Sequence, residues 1–428
     1  MEPIKVGLLG MGTVGTGVLR IVEGHQDDLQ KQVGSPIRIE KVLVQNKDKS
    51  RRYAVDADRL TENAWDIVND PAINVVVEVM GGIEPAKTYM LAALENGKHI
   101  VTANKDLMAL HGAEILAKAA EKHCDVFYEA SVAGGIPIIR TLIEGFSSDR
   151  ITKIMGIVNG TTNYILTKMS QEGASYEDVL KEAQDLGYAE SDPTSDVEGL
   201  DAARKMAILG TLGFHTSLGL GDVQVKGISQ VSKEDILYGK RLGYEVKLLG
   251  IAERQDDMIS VGVQPTMVKT THPLAAVNGV FNAVYVYGEA VGETMFYGPG
   301  AGEMPTATSV VADLVAVVKN LKLGVNGRKM FVPYKEKKMK TADQIASKYF
   351  VRLHVLDKAG VLAKITQVFA ECEVSLESVV QQPNKSIAEA EIVIVTHDAN
   401  LASMNRVLAE FESLDVIQTI KSVYRVEG

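Results

Sequence analysis

An apolar run, Ile4-Lys5-Val6-Gly7-Leu8-Leu9, passes directly into Gly10-Met11-Gly12-Thr13-Val14-Gly15 and then into a helical pattern as far as Glu23. Each glycine has a distinct part to play in such a turn. Gly10 is expected to make a tight turn, Gly12 to let the main chain approach a pyrophosphate, and Gly15 to allow close packing. Unpaired N–H groups at the start of the helix would face the anion. A GxGxxG alone is a weak signal, but this one follows a predicted strand and opens a predicted helix inside a βαβ unit, which gives it weight.

The alternation continues. Strands are predicted over 37–44, 75–79, 99–102 and 125–128, with helices over 13–23, 84–96 and 107–121; Ala86, Met90, Ala93 and Leu94 mark one helical face. Residues 1–130 therefore read as a doubly wound parallel sheet, whose ligands sit beyond the carboxyl ends of the strands. Over 131–323 the rhythm changes to a strand at 151–158, three helical stretches up to 214, and further strands at 246–251, 259–263 and 282–288. That order suits an α+β domain with a partly antiparallel sheet. Gly298-Pro299-Gly300-Ala301-Gly302 leads into an apolar helix, 306–321, expected to return to the first domain. Residues 324–348, carrying Arg328, Lys329, Lys335, Lys337, Lys338 and Lys340, read as a solvated basic linker. Residues 349–428 follow the order βαββαβ of a ferredoxin-like split unit.

The chain's 428 residues accommodate about three such domains. A formal net charge of -10 argues against a nucleic-acid partner, which needs a basic face. Cys124 and Cys372 stand far apart and outside any CxxC, so neither a disulfide framework nor a zinc site is expected. The sequence shows no basic-then-apolar leader and no run long enough to span a bilayer, and a cytoplasmic protein with no membrane partner is expected.

The segment 183–205, AQDLGYAESDPTSDVEGLDAARK, crowds Asp185, Glu190, Asp192, Asp196, Glu198 and Asp201 into a short stretch closed by Lys205. Desolvating so many ions costs several kcal/mol each, of order, unless they are paired; a carboxylate cluster beside a lysine suits gripping an amine and moving a proton. Asp201 and Lys205 alone, four apart on a helix, would be read as an ordinary surface pair. Thr102-Ala103-Asn104-Lys105 shifts that balance by placing a second lysine at the carboxyl end of a strand in the nucleotide domain. Where an acidic residue would hold the ribose hydroxyls of NAD, the chain has Gln45 and Asn46, followed by Lys47, Lys49, Arg51 and Arg52. Cations there favour a 2′-phosphate, hence NADP(H), with NAD(H) as the second option.

With these motifs in place the chain resembles the monofunctional homoserine dehydrogenases that carry a C-terminal ACT domain. The pattern A-x3-G-Y-A-x2-D-P-x2-D-x2-G-x-D-x3-K from Ala183 to Lys205 fits that family's signature without a gap. GMGTVG, TANK, EASVAGGIP at 129–137, NGTTNYIL at 159–166, GPGAGEMPTA at 298–307 and the turn Asp357-Lys-Ala-Gly360-Val-Leu extend the similarity over essentially the whole chain. The resemblance implies a Rossmann-like N-terminal domain, an α+β domain for substrate binding and dimerisation, and an ACT domain. It also implies reversible reduction of L-aspartate 4-semialdehyde to L-homoserine with NAD(P)H, on the route to threonine and methionine.

By position, the resemblance makes Lys205 and Lys105 the proton-transfer residues and Glu190 and Asp201 the substrate-binding acids, with Thr161, Tyr188 and Asp196 as neighbours. It places Gly10, Met11, Gly12, Thr13, Val14, Gly15, Lys47, Lys105, Gly187 and Gly302 near the cofactor. It further implies a monovalent cation, typically sodium, at Glu129 through its carboxylate and at Val132, Gly134 and Ile136 through their carbonyls. An amino-acid effector such as threonine at the ACT domain and a homodimer or homotetramer complete the expectation. Two other readings stay open at this point: a non-catalytic amino-acid or nucleotide sensor, and a different small-substrate dehydrogenase on the same dinucleotide fold.

Overall fold

The computed structural model describes residues 2–327, 331–384 and 389–428. Arg328 and Lys329 of the expected linker lie outside them, as do the first residues of the apolar run 387–397, which reads as one strand of the βαββαβ unit. The chain forms two compact units, one of Met1–Ile154, Arg204–Gly221 and Asn282–Glu336, the other of Met155–Ala203, Asp222–Phe281 and Lys337–Gly428.

In the first unit six parallel strands lie in the order Leu60–Thr61, Ile37–Leu43, Ile4–Leu9, Val75–Glu78, His99–Thr102, Val126–Phe127. This is the doubly wound sheet that the alternation predicts. Val6, Leu8, Val75, Val76, Val77, Ile100 and Val101 are fully buried, because crossover helices cover both faces of such a sheet. The strand order reverses between Ile4–Leu9 and Val75–Glu78, and a crevice opens at such a switch point. Helix Glu303–Leu323 shares the core of this sheet through Ala307, Val310, Leu314 and Val317, beside Val18, Leu19 and Val22 of helix Thr13–Gly24. Gly17 permits the approach: a Cβ there would lie 2.5 Å from the Glu303 carbonyl oxygen. The helix starts before Thr306 because Pro305 falls in its first turn, where no N–H is required.

In the second unit a mixed sheet runs Tyr244–Gln255, Met258–Lys269, Ile417–Glu427, Ala346–Leu356, Glu389–Thr396, Leu376–Asn384. Its last four strands, with helices Val361–Glu371 and Leu401–Ser413, form the βαββαβ unit; Val351, Leu353, Ile365, Ile392, Val407 and Phe411 fill its core. Strand Ile417–Glu427 also pairs in parallel with Thr266–Val268, so the two parts of this unit share one sheet.

A buried cluster reinforces that junction. Asp235, fully buried at the start of helix Lys233–Arg241, accepts from Arg352 Nε at 2.7 Å, Tyr424 Oη at 2.9 Å and Ser422 Oγ at 2.5 Å. Arg352 continues to Glu391 at 2.8 Å and Ser232 Oγ at 2.9 Å.

Among the described residues no helix is long and apolar enough to cross a membrane. Cys124 and Cys372 are both buried free thiols.

Candidate active site

The glycine loop has the geometry its spacing demands. Gly10 adopts φ 106°, a conformation that L side chains avoid, and a Cβ on Gly15 would lie 2.2 Å from the Gly10 carbonyl oxygen. At Gly12 a Cβ would meet nothing within 4 Å, so the backbone there faces open space. Gly12 is the N-cap of helix Thr13–Gly24, and no side chain caps its first N–H groups. Met11, Thr13 and Val14 belong to the same turn. These are the properties of an anion cradle at a helix N-terminus.

Beyond strand Ile37–Leu43, the Lys47 N–H donates to Glu62 Oε1 at 2.8 Å. The Arg51 guanidinium turns back on its own loop, donating to the carbonyls of Lys47 at 3.0 Å, Lys49 at 2.8 Å and Asn46. Arg51 thus clamps the loop, while Lys47, Lys49 and Arg52 stay exposed.

Lys105 is the first residue of helix Lys105–Glu121, which Asn104 caps by accepting from the Leu107 N–H at 3.1 Å. Lys205 lies on helix Leu200–Phe214, and its neighbour Arg204 pairs with Asp106, its Nε 3.0 Å from Oδ1. The ion pair brings the segments bearing the two lysines side by side in the first unit.

In the second unit Asn159 gathers two of the acids. Its Nδ2 donates to Asp196 Oδ1 at 2.7 Å and Asp201 Oδ2 at 2.8 Å, while its Oδ1 caps helix Gly160–Glu172 by accepting from the Thr162 N–H at 2.9 Å. Thr161 Oγ1 donates to the Tyr188 carbonyl at 2.7 Å, and the Tyr188 ring lies 5.0 Å from that of Tyr164. Gly187, at φ 75°, turns the chain after helix Tyr176–Asp185. Glu190 is exposed on the following loop, where its backbone carbonyl accepts from Gln184 Nε2 at 3.1 Å. Asp192 caps the next turn through the Thr194 N–H at 3.1 Å, and its bonds to Thr194 hold its carboxyl below the usual range. Asn159 escaped the residue-by-residue reading of the sequence; the Asn-Gly-Thr-Thr run opening a helix was the signal for a capping asparagine.

Asn163, also unanticipated, donates through Nδ2 to the carbonyls of Val277 at 3.2 Å, Gly279 at 2.9 Å and Phe281 at 3.2 Å. Lys247, buried with its pKa pushed down to about 8 by desolvation, ties its ammonium to the Val277 carbonyl at 2.5 Å. Together they fix the loop on which the first turn of helix Gly160–Glu172 rests.

The segment after strand Val126–Phe127 is buried and strained. Ala133 and Gly134 take φ 56° and 50°, and a Cβ on Gly134 would lie 2.3 Å from the Gly300 carbonyl oxygen. The Gly134 carbonyl accepts from Ser309 Oγ at 2.7 Å and the Ile136 carbonyl from the Ile138 N–H at 2.9 Å. Both Glu129 carboxylate oxygens accept backbone N–H groups, of Ile139 at 2.6 Å and Arg140 at 2.8 Å. Burial raises the Glu129 pKa and carries that of Asp313, which accepts the Glu129 N–H at 2.8 Å, to about 7. Val132, Gly134, Ile136 and Glu129 offer only oxygen, the donor type that suits a hard cation. Among the described residues no group of three or more His, Cys, Asp or Glu side chains could hold a metal.

A reversed strand order over a glycine cradle at a helix N-terminus is the arrangement of a dinucleotide-binding domain. Models of the homoserine dehydrogenase NAD-binding domain, the homoserine dehydrogenase domain and the ACT domain match residues 10–129, 137–315 and 349–416. The chain is 59% identical to homoserine dehydrogenase of Bacillus subtilis, covering 100% of this chain and 99% of that one. It is 43% identical to homoserine dehydrogenase of Mycobacterium leprae, covering 99% and 98%. Its structure is similar to that of a homoserine dehydrogenase from Thiobacillus denitrificans, with a TM-score of 0.94 at 42% identity over 100% of this chain and 98% of the other. The S. aureus homoserine dehydrogenase gives a TM-score of 0.80 at 36% identity over 100% of both chains. The chain belongs to the homoserine dehydrogenase family, the NAD(P)-dependent oxidoreductases.

Proposed function

We propose that the chain interconverts L-aspartate 4-semialdehyde and L-homoserine with NADP(H) as the preferred dinucleotide, on the route to threonine and methionine. The observation that carries this reading is the 59% identity to a homoserine dehydrogenase over the whole chain; the ion pair between Arg204 and Asp106, each next in sequence to one of the two lysines, supports the lysine roles.

A bound nicotinamide would supply hydride to the aldehyde carbon in reduction and accept it from the corresponding alcohol carbon in oxidation. In the reductive direction an ammonium, from Lys205 or Lys105, protonates the developing alkoxide, and fixed cations stabilise that charge before the proton moves. Glu190 and Asp201 hold the substrate ammonium, with Asp196, Thr161 and Tyr188 shaping their surroundings. Asn159 keeps Asp196 and Asp201 close together, which concentrates negative charge where a cationic substrate group is to be bound.

The Gly10–Gly15 turn receives the pyrophosphate, with Gly187 and Gly302 near the cofactor. The exposed Lys47 is the group for a 2′-phosphate, and the absence of an acid at Gln45 and Asn46 favours NADP(H) over NAD(H). A related archaeal homoserine dehydrogenase, 26% identical with a TM-score of 0.64, has been solved in complex with NADPH. A sodium ion would be held by the carbonyls of Val132, Gly134 and Ile136 and by Glu129, stiffening the strained turn there. The ACT domain, with the exposed turn Asp357 to Gly360, takes threonine or another pathway amino acid as regulator. The chain works in the cytoplasm as a homodimer or homotetramer.

Initial rates of homoserine oxidation, followed by the absorbance of the reduced nicotinamide with NADP+ and NAD+ and with or without millimolar threonine, test these points. Lys205→Ala and Lys105→Ala should each remove most turnover while nucleotide binding persists. Near-normal turnover in both variants would refute the lysine roles, and unchanged rates across millimolar threonine would remove the effector.

A further inference from the structure

Strand Val75–Glu78, on one side of the switch point, ends in a carboxylate that none of the roles above uses. Glu78 is fully buried. Its Oε1 accepts from the Met80 N–H at 2.8 Å and the Gly81 N–H at 3.3 Å, and its Oε2 from Thr102 Oγ1 at 2.6 Å. Thr102 Oγ1 in turn accepts the Asn104 N–H at 3.0 Å, so its own proton is directed to Glu78. Every partner of Glu78 is thus a donor, which suits the ionised acid although burial raises its pKa.

The chain of bonds continues to the reaction machinery. Asn104 Nδ2 donates to the Gly82 carbonyl at 2.7 Å, and Asn104 Oδ1 caps the helix whose first residue is Lys105. One buried carboxylate therefore fixes both the loop 79–82, at the mouth of the dinucleotide crevice, and the cap from which Lys105 projects. Burying this acid carries a desolvation cost that its three accepted hydrogen bonds offset, and those bonds hold the loop and the cap in one arrangement.

We propose that Glu78, acting through Thr102 and Asn104, is the positioning residue that aligns Lys105 for proton transfer in the reaction assigned above. This inference rests on that assignment. Glu78 meets no reacting atom itself; its effect is geometric, and displacement of a reacting group by about 1 Å can cost on the order of 100-fold in rate.

The test uses the full-length protein with Glu78→Gln, Thr102→Val and Thr102→Ser. Glu78→Gln and Thr102→Val should lower kcat by roughly 100-fold. In both, KM for homoserine and Kd for NADP+ should stay within about threefold of the parent, the pattern of a lost transition-state interaction. Thr102→Ser, which keeps the hydroxyl, should restore kcat. Preserved kcat in Glu78→Gln and Thr102→Val overturns the proposal, as does a Thr102→Ser variant no better than Thr102→Val. A fall in kcat matched by equal losses of ligand affinity and melting temperature assigns Glu78 to folding alone and also overturns it. Should Glu78→Gln fail to fold, the threonine pair decides. Parent enzyme and Lys105→Ala run alongside: an inactive parent would instead sink the assigned reaction, and a fully active Lys105→Ala would overturn this proposal while leaving that reaction standing.

Discussion

Two glycines separate space needed for folding from space needed for a ligand. Gly15 has none to spare, because an added methyl would lie 2.2 Å from the Gly10 carbonyl oxygen, whereas Gly12 faces open volume. Gly15→Ala should therefore destabilise the chain by about 1–3 kcal/mol, as overpacking does, measured by denaturant unfolding. Gly12→Ala sits at a helix N-cap, where glycine-to-alanine changes are mild, and should alter stability by roughly 1 kcal/mol or less. If the turn receives the pyrophosphate as proposed, this variant should nonetheless weaken NADP+ binding, measured by nucleotide titration, because the methyl group occupies the open side of the turn. Equal stability losses in the two variants would show that the loop serves packing alone.

At the scale of elements, what could be read in advance followed hydrophobic period. The parallel strands are buried on both faces and appear in the sequence as short apolar runs, while the helices that cover them repeat at helical spacing, and both were legible. Helix Gln26–Val33 was not, since only Leu29 and Val33 of it are buried and the rest is polar. Strands Tyr244–Gln255 and Met258–Lys269 run longer than expected, because Arg254 and Thr266 lie buried beyond the predicted ends and interrupt the apolar pattern there. The candidate site was legible as residue types at fixed spacing; its internal wiring was not. Asn159, Glu78 and Asn163 act through bonds to residues distant in the chain, and single-sequence spacing carries no trace of those partners. The same holds for Asp235 and Arg352, which join helix Lys233–Arg241 to strand Ala346–Leu356. Arg352→Ala should cost about 3–5 kcal/mol by stranding Asp235 as an uncompensated buried charge, and replacing both by apolar residues should recover most of that loss in unfolding experiments.

For the molecule as a whole, the ACT domain is built into the catalytic chain and does not hang from it. Its strand Ile417–Glu427 occupies the edge beside Thr266–Val268, and Arg352, Ser422 and Tyr424 cover Asp235. A chain ending at Lys340 would lose all of these at once and expose both an unpaired strand edge and a buried carboxylate. Such a truncation is expected to aggregate and not to yield a soluble enzyme merely freed from amino-acid control; soluble yield and size-exclusion profile would show which. A monodisperse, active fragment would mean that the shared sheet is dispensable.

The pairing of Thr266–Val268 with Arg425–Glu427 also orders events in time. A nascent chain that has delivered the first of these segments from the ribosome must wait for a partner encoded far downstream, and contacts so distant in the chain form slowly. During that interval the edge of Met258–Lys269 that receives Arg425–Glu427 stays open, its N–H and C=O groups left to water.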